Sequence, residues 1–170
     1  MSARVVMEEL VNYAGKKTRI DTKRLCEGEV IISDPALRKS IDDYEFELRD
    51  DIRRKYVLIG HCQPISHNFP RTQFGSANRC FQIVWFMKWE WLEYSVFQDS
   101  TFCLWCYLFG DKKFVNEAFT KRGIRNWKNA TEKFKEHVGM RGSAHNKAEK
   151  LYFDFKDKQS LLKILPSRKK

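Results

Sequence analysis

Four residues between positions 103 and 145 have the types and spacing of a zinc site. Cys103 and Cys106 are separated by two residues, so both thiolates can reach one tetrahedral ion if the chain turns sharply between them. His137 and His145 follow, with seven residues between them, whereas short-range zinc fingers keep their histidines about three to five residues apart. Two thiolates and two neutral imidazoles would balance the charge of the ion. The pattern predicts a Cys2His2 site for Zn²⁺.

Helical periodicity supports this set of ligands. Apolar residues over 127–138 fall on one face of a predicted helix, and His137 shares that face. Gly139 predicts the end of this helix. Ser143 is a candidate N-cap of a second helix, which carries His145 on its apolar face. The turn between the two helices would bring both imidazoles to one place.

The cysteines are expected on a β-hairpin beneath these helices. Residues 92–97 and 101–109 are predicted strands joined by a turn at 98–100, and the second strand carries both cysteines. A short helix over 78–88 precedes the hairpin, and another runs from Asp50 to Ile59, with Gly60 as its stop. The fold class predicted is α+β: a small zinc-stapled domain with the hairpin and two or three helices, flanked by disordered ends.

Core packing is the alternative for each of these side chains taken singly, since a cysteine is often a small buried hydrophobe and a histidine a satisfied core residue. A second, weaker ligand set is His61, Cys62 and His67, which has no distant matching pair. Thirteen of the 24 aromatic residues lie between Phe81 and Phe119. That concentration favours a core there over a base-stacking surface.

The length of 170 residues indicates one domain. Five cysteines without a secretory signal favour a reducing compartment, and no apolar run is long enough for a membrane span, so a soluble intracellular protein is expected.

Positive charge is concentrated in the last part of the chain. Residues 111–170 contain 17 Lys and Arg against 7 Asp and Glu, whereas residues 1–110 contain 15 of each.

This polarised charge suits a polyanion such as a nucleic-acid backbone, although lysine-rich helices can also be merely soluble. Six outward basic residues near the histidines are the predicted DNA phosphate contacts: Arg122, Arg125, Lys128, Lys135, Arg141 and Lys147. Phosphate contacts carry no sequence information, and binding through them weakens with salt. The base-reading residues cannot be named from these patterns.

Several short motifs stand in the order found in a known family. They are Asp34-Pro35-Ala36-Leu37-Arg38, Ile52-Arg53-Arg54-Lys55-Tyr56, Gln63-Pro64, Asn68-Phe69-Pro70, Trp91-Leu92-Glu93-Tyr94-Ser95, Phe102-Cys103-Leu104-Trp105-Cys106-Tyr107-Leu108-Phe109, Phe114-Val115, Trp127-Lys128, Phe134-Lys135-Glu136-His137 and Ser143-Ala144-His145-Asn146. Over about residues 34–160 the chain resembles the TTF-type zinc finger region of plant hAT-transposase-derived proteins, often described as zinc finger MYM-type protein 1-like. The resemblance implies a zinc-binding, DNA-binding module at the N-terminal end of a transposase-like protein.

Family members continue into an RNase-H-like catalytic region and a dimerisation segment, so we expect here a truncated or domesticated module without catalytic activity, located in the nucleus. The expected organisation is a flexible segment at residues 1–47, the TTF-type zinc finger domain at 48–156 and a basic tail at 157–170. The alternative function is a zinc-stabilised protein-interaction module that pairs with a transposase-like or transcription-related partner. Four protein ligands leave no open coordination position for water, which disfavours a zinc hydrolase. The oligomeric state is not predicted.

Overall fold

The computed structural model describes residues 30–164, with side chains up to residue 158. The predictions for residues 1–29 and 165–170 lie outside this range. The α-helices of the described chain are α1 (Arg49–Ile59), α2 (Val84–Lys88), α3 (Leu104–Phe109), α4 (Ala130–Val138) and α5 (Ala144–Ile164). The strands are β1 (Thr72–Phe74), β2 (Ala77–Arg79), β3 (Leu92–Ser95) and β4 (Ser100–Cys103). Short 3₁₀ turns occupy Ile41–Asp43 and Phe46–Leu48, and a π-helical turn occupies Ala118–Arg122. The predicted small α+β fold is confirmed.

The strands form two separate antiparallel hairpins. In the β3–β4 hairpin Leu92 is opposite Cys103 and Ser95 is opposite Ser100, and every residue of both strands is buried. In the β1–β2 hairpin Gln73 is opposite Asn78, and this hairpin is largely exposed. The sequence analysis predicted the buried hairpin and missed the exposed one.

The strand predicted over residues 101–109 is wrong beyond Cys103, where the chain turns into α3. The residues from Leu104 to Leu108 are all buried. A short run that is apolar on every side lacks the alternation that distinguishes a half-buried strand from a buried helix. Cys103 begins the helix as its N-cap, since its Sγ accepts a hydrogen bond from the backbone N–H of Cys106 at 3.4 Å.

Helix ends follow the predicted signals. Gly60 ends α1 with φ of 81° and Gly139 ends α4 with φ of 63°, a left-handed region that glycine adopts without a steric penalty. Ser143 caps α5, since its Oγ accepts the backbone N–H of Asn146 at 3.2 Å. These ends set the positions of both histidines.

Aromatic side chains form the core between the hairpin and the helices. The ring of Phe134 on α4 lies 5.5 Å from Trp85 and 5.8 Å from Trp91. On the other side, Trp105 of α3 lies 5.4 Å from Phe153 of α5. The prediction that the tryptophan-rich stretch is core is therefore confirmed, because Trp85, Trp89 and Trp91 are all buried.

The folded region extends beyond both predicted limits of the zinc finger domain. Residues 30–47, predicted as part of a flexible segment, pack on the core: Ile41 and Tyr44 are buried, and Arg38 forms a buried ion pair with Glu93 of β3. At the other end α5 continues to Ile164, so the first part of the predicted tail is helical. No helix in the described range combines the length and apolarity needed to cross a membrane.

Candidate metal centre

Two adjoining elements position the cysteines. Cys103 is the last residue of β4 and Cys106 lies in the first turn of α3, so the change from strand to helix turns both sulfurs to one side. Both residues are buried. This sharp turn is the local geometry that a two-residue cysteine spacing requires for a shared ion.

The histidines come from facing ends of two helices. His137 lies in the last turn of α4 and His145 in the first turn of α5. Gly142, with φ of 87°, and Gly139 shape the turn between them. The Oγ of Ser143 donates to the carbonyl of Val138 at 2.6 Å, which ties the end of α4 to the start of α5. Both imidazoles are buried.

The four candidate ligand atoms lie close together. Cys106 Sγ lies 3.5 Å from His137 Nε2 and 3.6 Å from His145 Nδ1, and the two nitrogens are 3.1 Å apart. Cys103 Sγ lies 3.6 Å from His145 Nδ1, and all four atoms lie within 4.8 Å of one another. Ligands about 2.3 Å (sulfur) and about 2.0–2.1 Å (nitrogen) from a tetrahedral zinc ion are about 3.3–3.8 Å apart, a range that includes these three sulfur–nitrogen distances.

Cys103, Cys106, His137 and His145 therefore form a potential metal-binding site. It is the only group of three or more such side chains found close enough to hold an ion within the described residues. A cleft of about 210 Å³ reaches Cys106 and both imidazoles, between the turn at Asn116 and the start of α5. An ion thus has an entry path to an otherwise buried set of ligands.

The electrostatics of the cluster suit a cation. A hydrogen bond from Cys103, together with contacts from both imidazoles, lowers the pKa of Cys106 to about 4. Burial raises the pKa of Cys103 well above its usual range. Burial lowers the pKa of His137, which keeps its imidazole neutral and able to ligate. A divalent cation would stabilise both thiolates together.

Aromatic rings enclose the two imidazoles. Phe119 stacks on His137 with ring centroids 3.9 Å apart. Trp91 lies 5.0 Å from His137 and 5.1 Å from His145, and Trp105 lies 5.4 Å from His145. Such packing fixes the orientation of ligand rings in the way that supporting residues do around other metal sites. Sequence analysis did not find these supporting residues, and the only available signal was the density of aromatics between the ligands.

We expect Phe119→Leu to lower zinc affinity by about 10-fold or more, because the ring that orients His137 is lost while the apolar volume is largely kept. Competition with a chromophoric chelator measures the change. Phe46→Leu is the matched control, because Phe46 is 77% exposed and does not line the cleft beside the cluster. Equal zinc affinities for the two variants would contradict a supporting role for Phe119.

The second set of candidate ligands is not brought together. The Sγ–H of Cys62 donates to the carbonyl of Tyr94 at 3.4 Å, and burial raises the pKa of Cys62 strongly. His61 packs between the rings of Trp105 and Tyr152. His67 packs edge-on against Phe69. These three side chains contribute to packing.

The six predicted phosphate contacts are all exposed. Arg122 and Arg125 flank Gly123 between the π-helical turn and α4, and Lys128 and Lys135 lie before and within α4. Arg141 is in the turn between the histidines, and Lys147 is in the first turns of α5. No ion pair joins any of the six to another described residue. Their role in binding DNA stays a prediction.

The comparison with protein families covers the histidine half of the chain. Residues 117–170 match the ZMYM1/FAM200, RNase-like domain. This match supports a relationship with ZMYM-type, hAT-derived proteins over about a third of the chain, and it does not extend to the cysteines. The resemblance implies an RNase-H-like region that follows the zinc-binding module, whereas the match to an RNase-like domain includes both histidines. No curated protein and no solved structure gives a significant match.

Proposed function

We propose that this chain is a zinc-dependent DNA-binding module of the TTF type, derived from a hAT-type transposase and acting in the nucleus. The observation that carries the proposal is a Cys2His2 cluster whose four candidate ligand atoms lie within 4.8 Å of one another, in a part of the chain with many exposed basic side chains. The family match of residues 117–170 supports the transposase-derived origin.

Zinc is the ion that this donor set favours. Thiolate and imidazole ligands in a buried tetrahedral arrangement are typical of structural zinc sites, whereas magnesium and calcium take oxygen ligands. The four side chains would fill every position of a tetrahedron, so the ion would stabilise the fold and not activate water. It would hold α3, α4 and α5 together at the end of the β3–β4 hairpin. This arrangement fits a structural role for the ion in a binding module.

DNA is the proposed partner because exposed basic side chains are concentrated in the part of the chain that contains both histidines. The six predicted phosphate contacts between residues 122 and 147 are exposed, and no described carboxylate forms an ion pair with them. Each phosphate neutralised by such a side chain releases a condensed counterion. The resulting affinity for a duplex is independent of its sequence and strongly dependent on salt.

We expect affinity for a duplex of arbitrary sequence to fall steeply with salt, and Lys128→Gln with Lys135→Gln to reduce the slope of log K against log salt by about 0.9 per lost contact. Gel-shift or fluorescence-anisotropy titrations at several salt concentrations measure the slope. Lys112→Gln is the matched control, because the Nζ of Lys112 is already paired with Asp42 at 2.9 Å. Duplex binding that is negligible at low salt would contradict the proposal.

Exposed apolar side chains favour a second candidate, a zinc-stabilised protein-interaction module. Phe46 is 77% exposed, Phe114 is 70% exposed and Met140 is 87% exposed, and Phe114 lines the cleft beside the metal cluster. An exposed apolar side chain at the edge of a cleft can contribute to a contact with another protein. A transposase-like partner that binds with an affinity insensitive to salt, together with no binding to DNA, would favour this function.

A further inference from the structure

The exposed β1–β2 hairpin has no role in the metal centre and lies in an unusual stretch of sequence. From Ile52 to Trp89 the chain contains no Asp or Glu over 38 residues, but it has six Lys and Arg. The charge balance of residues 1–110 does not reveal this run, because that range as a whole contains equal numbers of acidic and basic residues. The hairpin therefore projects from a segment whose own charge is entirely positive.

The two faces of this hairpin differ. Phe74 and Ala77 are opposite each other on one face, where Phe74 packs against the core. Gln73 and Asn78 are opposite each other on the other face, and both are exposed. Arg71, also exposed, precedes β1 and alternates onto the face of Gln73. The outward face thus presents two neighbouring amides and a guanidinium.

These side chains have the chemistry of base readout in the major groove. Asn and Gln can form paired hydrogen bonds with adenine, and Arg can do so with guanine. The major groove, about 12 Å wide, admits a two-stranded ribbon, and strands of three residues are about 10 Å long with about 4.8 Å between them. The described chain has no third strand beside β1 or β2 that would block this approach.

The base of the hairpin lies beside the predicted phosphate contacts. Phe81, two residues after β2, lies 5.8 Å from the ring of Trp127, and Trp127 stands between Arg125 and Lys128 in the chain. This ring contact places the segment that follows β2 beside the segment that carries Arg125 and Lys128, so one duplex could contact both surfaces.

We propose that the β1–β2 hairpin enters the major groove of duplex DNA and reads base edges with Gln73 and Asn78, assisted by Arg71. This inference rests on the proposed DNA-binding function and adds a source of sequence preference to it. Contacts at Arg125 and Lys128 would position the duplex, and the hairpin would discriminate among bases. An exposed hairpin edge can also pair with a strand of another protein, and the test distinguishes that outcome.

The test is binding-site selection with the zinc-loaded full chain and a library of duplexes with a randomised centre. The wild type is expected to select a consensus, and protection of guanine N7 from methylation should place the protein in the major groove. Gln73→Ala with Asn78→Ala should reduce discrimination at the contacted positions on the order of tenfold to a hundredfold. Its affinity for the unselected pool should change little, because phosphate contacts supply that affinity.

Asn68→Ala is the matched control, because it removes an exposed amide outside the hairpin. A consensus that persists in the double variant, or a wild type that binds duplexes without any preference, would overturn the hairpin proposal and leave the proposed function standing. A wild type that binds no duplex would overturn both. Equal thermal midpoints for the wild type and the double variant would show that the loss of preference does not come from unfolding.

Discussion

Replacing Cys106 by Ala is expected to abolish stoichiometric zinc binding and to reduce the free energy of unfolding by on the order of 10 kcal/mol. Structural zinc sites contribute about 10–16 kcal/mol at neutral pH, and a whole domain is stable by only about 5–15 kcal/mol. The variant would therefore lie near or below the limit of folding. Cys106 has the largest expected effect because its Sγ contacts both imidazoles. Metal analysis of the purified protein and urea unfolding measure the two losses.

Cys62→Ser is the matched control for this experiment. Cys62 is a half-buried free cysteine that hydrogen-bonds the carbonyl of Tyr94 and lies outside the cluster. We expect this variant to retain one zinc ion per chain. If zinc were lost with Cys62→Ser but kept with His145→Ala, the ligand assignment would be wrong.

Arg38→Met is expected to destabilise the protein by about 3–5 kcal/mol without removing zinc. The guanidinium and the Glu93 carboxylate are almost completely buried, with side-chain exposures of 2% and 1%. Removing one partner of such a pair leaves the other charge buried and uncompensated. Arg38 also stacks over the ring of Tyr107 at 3.8 Å. Urea unfolding of the zinc-loaded protein measures the difference in free energy.

A second change separates charge from packing at this position. Arg38→Met combined with Glu93→Gln should recover part of the loss, because no buried charge is left unpaired. Lys133→Gln is the control, because the Lys133–Glu136 pair is exposed and such pairs contribute about 0–1 kcal/mol. A loss for Arg38→Met no larger than that of the control would mean that Glu93 is compensated by other groups.

The ligand cluster could be predicted because each ligand carries a local signal. The spacing of Cys103 and Cys106 is characteristic of zinc ligands, and His137 and His145 follow helical periodicity with a glycine stop and a serine cap. These signals depend on neighbours within a few residues. They place the side chains at element ends without any knowledge of the tertiary fold.

Other features depend on contacts that no local pattern encodes. Arg38 contacts Glu93, which lies 55 residues later in the chain. No local pattern in the sequence predicts this contact, so the segment before residue 48 was predicted to be flexible. The β1–β2 hairpin has strands of only three residues, and β2 contains no residue of the types enriched in strands. Its one clear signal was the Gly75-Ser76 pair, a typical two-residue hairpin loop. The helix at Leu104–Phe109 was missed because burial on all sides removes periodicity.

The position of Trp91 gives the protein an internal optical reporter. Its indole lies about equally close to both imidazoles of the cluster, at 5.0 and 5.1 Å. A cobalt(II) ion in place of zinc has unpaired electrons and would quench the emission of so near an indole. Intrinsic fluorescence could then follow metal exchange in real time, with no dye attached to the chain.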